Sequence, residues 1–145
     1  MKKLIKIIGL VIVLMLGGFI LIQLIPYGRN HTNPPVVSEP KWDSPRTQEL
    51  AQRACFDCHS NRTVWPWYSN IAPGSWLIYR DVIEGRRRLD FSDWNGSKQR
   101  ANEAPEVVLE GEMPPFQYLI LHKNAMLSTA EREELAKGLA ATLSQ

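Results

Sequence analysis

At 145 residues the chain is long enough for one domain with a modest core, and its 17 basic and 15 acidic residues leave a formal net charge of +2. Lys2, Lys3, Lys6 and Arg29 come before any acidic residue, so the count beyond Arg29 is 13 basic against 15 acidic. A slightly acidic body gives nucleic-acid binding no electrostatic support.

Lys2, Lys3 and Lys6 are followed by an uncharged, apolar run over residues 7–25, 19 residues long, which suffices to cross a bilayer. A cleavable leader would have a shorter apolar region and small residues before the cut; cleavage after Gly17 or Gly18 would place Met15 or Leu16 at the minus-three position. No cysteine for lipid attachment lies nearby. Residues 1–25 are therefore expected to be an uncleaved single-pass anchor held by the lipid bilayer. Its lysines would stay in the cytoplasm and the rest of the chain would lie on the outer, periplasmic face of the bacterial inner membrane. Residues 26–40 (PYGRNHTNPPVVSEP) are rich in Pro and Asn without period and read as a short stiff tether, with His31 a solvated residue in it. Residues 41–145 remain as the folded domain.

Ser44-Pro45 is a helix start, hydroxyl as N-cap and proline at the first helical position, and Leu50, Ala51, Ala54, Cys55 and Cys58 follow at helical spacing. The helix is expected to close on Cys55-Phe56-Asp57-Cys58-His59, which contains both cysteines of the chain. On a helix, positions i, i+3 and i+4 share a face, so two thiols can add across the vinyl groups of a haem while the imidazole points at its iron. The pattern is that of c-type haem attachment, one haem per chain, with thioethers at Cys55 and Cys58 and His59 as proximal ligand. Three other readings compete. A thioredoxin-like CxxC expects a strand leading into it, whereas residues 44–54 read as helix. A zinc site needs a second ligand pair, which His31 and His122 are too scattered to supply. The third is a structural disulfide.

Residues 61–74 are aromatic and interrupted by proline, an ordered loop rather than a helix. Helical period returns over 75–84 with Trp76, Tyr79, Val82 and Ile83, and Gly85 suits the C-cap. Arg86, Arg87 and Arg88 follow, either neutralising haem propionates or an acidic partner, or forming a solvated helix end whose cations complement the dipole. Trp65, Trp67, Trp76 and Trp94 read as haem-pocket walls or core. Residues 89–96 form a turn region, with helical turns at 97–102 and 105–110 ending near Gly111.

A haem iron held by one histidine has a sixth position, and Met113 in Gly111-Glu112-Met113-Pro114-Pro115 is the leading candidate, 54 residues beyond His59. Its rival is His122, at the end of an apolar stretch, as ligand, haem-edge hydrogen-bond partner or structural residue. Ser128-Thr129-Ala130-Glu131 is a capping box, and Leu135, Ala136, Leu139, Ala140 and Leu143 form an apolar stripe on the last helix. No segment alternates as a strand.

Over residues 40–143 the chain resembles the small bacterial haem-binding domain family, which carries one CxxCH and is often membrane-anchored. The resemblance rests on Cys55-Phe56-Asp57-Cys58-His59-Ser60-Asn61, Trp65-Pro66-Trp67-Tyr68-Ser69, Ile71-Ala72-Pro73, Gly111-Glu112-Met113-Pro114-Pro115 and Leu121-His122. It implies haem at Cys55, Cys58 and His59; Pro105 and Lys123 depart from the usual pattern. The fold expected is all-α, a cytochrome c-like helical domain around one covalent haem, preceded by a single transmembrane helix. The leading function is one-electron transfer with redox protein partners. A peroxidase-like or gas-binding haem enzyme, with His122 as acid or base, a redox sensor, and CxxC thiol–disulfide chemistry are the alternatives.

Overall fold

A computed structural model describes residues 1–144; Gln145, the end of the expected domain, lies outside it, as do the side chains of residues 97–100. The described chain is mostly helical and has no strand. Its α-helices are α1 (Lys2–Ile22), α2 (Pro45–Ala54), α3 (Phe56–His59), α4 (Gly74–Arg88), α5 (Trp94–Ser97), α6 (Ala104–Leu109), α7 (Phe116–Leu119) and α8 (Thr129–Leu143). Short 3-10 turns occur at Trp67–Asn70, Lys98–Glu103 and Lys123–Ala125. Two compact units are distinguished: residues 1–31 with 65–80, and residues 32–64 with those from 81 onward.

In the larger unit α8 packs on α2 and α6. Ser44 accepts from the Thr47 backbone N–H, and Ser128 and Glu131 close a reciprocal capping box, so both predicted helix starts are present. Leu50, Leu135 and Leu139 are fully buried between these helices, each worth about 1.5–3 kcal/mol of transfer free energy. The buried face of α8 departs from the expected stripe: Ala140 is exposed, and Gly138 and Thr142 are buried instead. A Cβ at Gly138 would stand 1.9 Å from Thr47 Oγ1, so α2 and α8 approach through a position with no side chain. Thr142 Oγ1 accepts from the Asp43 backbone N–H at 3.2 Å, which offsets the cost of burying a hydroxyl.

The motif does not close α2. Cys55 leaves helical geometry at φ −120° and ψ −31°, and α3 is a separate turn in which the Cys55 carbonyl accepts from both Cys58 and His59. The break turns Phe56 into the core, its ring 5.4 Å from that of Phe91, which in turn lies 5.2 Å from Trp42 and 6.0 Å from Trp94. Burial of this aromatic cluster outweighs one more turn of continuous helix. Gly85 is likewise no cap: α4 runs on to Arg88, and Gly85 sits inside it.

Residues 26–40 are irregular, as their composition predicts, but not a free tether. Within the larger unit, Asn33 donates to the Thr63 carbonyl at 2.9 Å, Asn61 donates to the Pro35 carbonyl at 2.9 Å, and Val37 N–H reaches the Ser92 carbonyl at 2.8 Å. A proline-rich segment cannot pair with itself, so its remaining polar groups bond to neighbouring chain.

In the smaller unit α1 is wholly unburied and apolar, long enough to span a bilayer. The chain beyond it folds back on residues 65–80. Gly28, at φ +77°, passes so close that a Cβ would lie 2.4 Å from the Ser75 carbonyl oxygen, and the Tyr27 ring meets Tyr79 edge-on at 5.5 Å. His31, read from the sequence as solvated, is half-buried: it stacks on Trp65 at 4.5 Å, and its Nε2 lies 3.1 Å from the Ser69 carbonyl.

Candidate functional site

Cys58 and His59 lie on the four-residue turn α3, Cys55 is its N-cap, and α4 packs against the turn. A Cβ at position 85 would lie 2.4 Å from the Cys58 carbonyl oxygen, so only glycine lets α4 press against the motif this closely. Both thiols are free and half-buried. Burial pushes each up to about 12; for Cys55 the charge of Cys58 adds to it, and for Cys58 those of Asp57 and Asp81. A CxxC working as a dithiol nucleophile needs the opposite shift, toward the thiolate, and a strand context that is absent among the described residues.

The His59 ring is anchored to the backbone that follows α4. Its Nδ1–H donates to the Leu89 carbonyl at 3.0 Å, which leaves the Nε2 lone pair for a metal. Burial lowers the imidazole's affinity for a proton, more than the Leu89 and Gly85 carbonyls restore it, so the neutral, ligating form is favoured. Among the described residues no three His, Cys, Asp or Glu side chains converge to hold one ion. Two free thiols and one imidazole within five residues are the donor types that a covalently attached macrocycle with a central iron takes. The donor set fits a covalently held haem.

Asp57, between the cysteines, ties the motif to its surroundings and was not singled out by the sequence reading. Its Oδ1 accepts from the Val64 backbone N–H at 3.0 Å and its Oδ2 from the Tyr118 hydroxyl at 2.6 Å. Tyr118 stacks on His122 with ring centroids 4.0 Å apart, and His122 Nδ1–H donates to the Tyr118 carbonyl at 3.1 Å. Asp57, Tyr118, His122, Arg53 and Lys123 line an open hollow of about 500 Å³. The same segment leaves Phe116 77% exposed and Ile120 and Leu121 exposed as well.

Met113 is half-buried and packs, with Cys55, against the core cluster that contains Leu50, Phe56 and Leu135. Gly111 at φ +76° turns the chain after α6, and the Val107 carbonyl accepts from both Glu112 and Met113, so backbone bonds fix the loop that presents the thioether.

The arginines divide. Arg86 is committed to the protein: its Nε donates to the Ser60 carbonyl at 2.8 Å, and its Nη2 to Asn33 and Thr63, each at 2.8 Å. Arg87 pairs with Glu84 at 2.6 Å one turn back. Arg88 is exposed at the end of α4, and its charge disfavours the protonated form of His59. The tryptophans divide too: Trp94 is core, whereas Trp67 is 76% exposed.

The family described as a haem-binding domain matches residues 17–141, beginning inside α1 rather than near Pro40. No curated protein and no solved structure matches the chain.

Proposed function

We propose, from the premise that this chain belongs to the haem-binding domain family and is a haem-binding protein, that it is a membrane-anchored mono-haem c-type electron carrier. In this reading residues 1–25 anchor the chain, 26–40 lead away from the membrane, and 41–145 carry one haem on the periplasmic side. Cys55 and Cys58 hold it through thioethers, His59 is the proximal ligand and Met113 the distal one. Bound haem supplies a one-electron couple. The chain's part is to orient it, exclude water and set its electronic surroundings.

The observation that carries the reading is the state of the motif: two free, half-buried thiols beside an imidazole whose Nδ1–H is spent on Leu89. Supporting it, Phe116, Ile120 and Leu121 present apolar surface on the segment that Asp57 ties to the motif through Tyr118, surface a porphyrin can cover. Met113 suits electron transfer because a thioether favours ferrous iron and raises the potential.

A second reading, a peroxidase-like or gas-binding site, is favoured by the hollow beside the stacked Tyr118–His122 pair. Protein from a host competent in cytochrome maturation decides between them. A pyridine haemochrome spectrum with intact mass should give one haem bound through two thioethers. Ferrous protein inert to carbon monoxide and peroxide supports the carrier, and prompt reaction with either supports the enzyme. A colourless product at the bare polypeptide mass rejects both.

A further inference from the structure

The segment of residues 65–80, a loop that runs into the first turns of α4, is fastened to the end of α1 in a way that the haem site does not explain. Gln23, the C-cap of α1, donates its Nε2 to the Ala72 carbonyl at 2.9 Å and accepts at Oε1 from the Ala72 backbone N–H at 2.9 Å. The same Nε2 also reaches the Phe19 carbonyl at 3.0 Å, and Arg29 donates to the Gln23 carbonyl. One glutamine thus satisfies a whole backbone unit of a distant loop at the point where the apolar helix ends.

At 1.5 Å per residue the 21 residues of α1 extend about 31 Å, the thickness of a hydrocarbon core, so Gln23 falls at the outer boundary of a bilayer that α1 crosses. Ala72 is then at that boundary, and the side chains around it are not those of a water-facing loop. Trp67 is 76% exposed, Leu77 53% and Ile71 39%, with Tyr27 also exposed beside them in sequence to α1. Tryptophan and tyrosine with one apolar and one wet end favour the headgroup level. The internal pairing of Ala72 with Gln23 removes the cost of bringing its peptide group to that depth. The family match, starting at residue 17, takes in the last turn of α1 together with this loop.

We infer that residues 65–80 form an interfacial foot: Trp67, Ile71 and Leu77 sit in the glycerol and upper acyl region of the bilayer, fixed there by the Gln23–Ala72 pair. The occupant of this apolar surface is lipid, continuous with the lipid around α1. The inference rests on α1 remaining as an uncleaved anchor.

The test uses the full, haem-loaded chain in vesicles of phosphatidylcholine and phosphatidylglycerol that contain phosphatidylcholine with a diazirine in the upper acyl chain. After irradiation, adducts mapped by peptide mass spectrometry are expected on α1 and on the 65–80 segment. In the W67S/L77S variant the loop adducts should fall at least about fivefold, with α1 adducts and the Soret band unchanged. Adducts on α1 alone, or loop adducts indifferent to the substitutions, overturn the foot while leaving the anchor standing. Adducts on neither overturn both.

Discussion

Gly85 and Cys58 approach so closely that a Cβ on residue 85 would stand 2.4 Å from the Cys58 carbonyl oxygen. The obstructing atom is backbone of the motif turn, which cannot swing aside as a side-chain tip would. Gly85→Ala should therefore push α4 off α3 and cost about 1–3 kcal/mol. Chemical denaturation should show that loss together with a reduced yield of covalent haem; a parental midpoint and yield would mean that the turn tolerates displacement.

The distal assignment separates two residues on one segment. Met113 packs on the core cluster alongside Cys55, whereas His122 is bonded and stacked to Tyr118. Met113→Ala should abolish the far-red ferric band that reports thioether ligation and open the ferrous protein to carbon monoxide. His122→Ala should leave that band in place. The reverse pattern in the two ferric spectra would transfer the role to His122.

What was legible in the sequence was the haem-binding family and local structure. Ser44 and Ser128 were readable as caps because their bonds close within three residues, and the thiol–imidazole spacing because it lies within one turn. What was not legible depended on distant partners. The break at Cys55 is decided by Phe56 meeting Phe91, and the role of Gly85 by a carbonyl on another helix; a glycine near a helix end carries the same local signal in either case. Arg86, in a run that resembles a solvated helix end, is drawn in by Ser60, Asn33 and Thr63. His31 looked solvated because its partners, Trp65 and Ser69, lie more than thirty residues on. For Asp57 a signal existed: a carboxylate between the two cysteines is poorly placed for the thiols unless something else uses it.

That use is the Tyr118 hydroxyl, 2.6 Å from Asp57 Oδ2. A hydrogen bond to a charged acceptor contributes about 1.5–3 kcal/mol, less where water reaches it, so Tyr118→Phe should cost about 1–2 kcal/mol in denaturant unfolding. The ring and its stacking on His122 are kept in that variant. It should therefore lose stability without losing covalent haem. Asp57→Asn, whose amide oxygen still accepts from the Tyr118 hydroxyl, should lose less than Tyr118→Phe; equal stability of Tyr118→Phe and parent would show that the bond is not formed in solution.

Acid stability should carry the signature of Glu131. Its carboxylate accepts from the Ser128 backbone N–H at 2.9 Å and from Arg53 at 2.6 Å, and these bonds hold it down to about 2 against an ordinary value of 4.5. Because the folded value lies below the unfolded one, the unfolded chain binds more protons in between, and stability rises with pH there. The contribution is fully present above 4.5 and fades as pH falls toward about 2. The bonds tie the first turn of α8 to α2 through Arg53, so their loss loosens the helix pair that buries Leu50, Leu135 and Leu139. Unfolding midpoints of parent and Glu131→Gln, measured from pH 6 to pH 2, should converge at the acid end as the parent's carboxylate is protonated. A constant gap between the two curves across that range would show that Glu131 gains nothing from its charge.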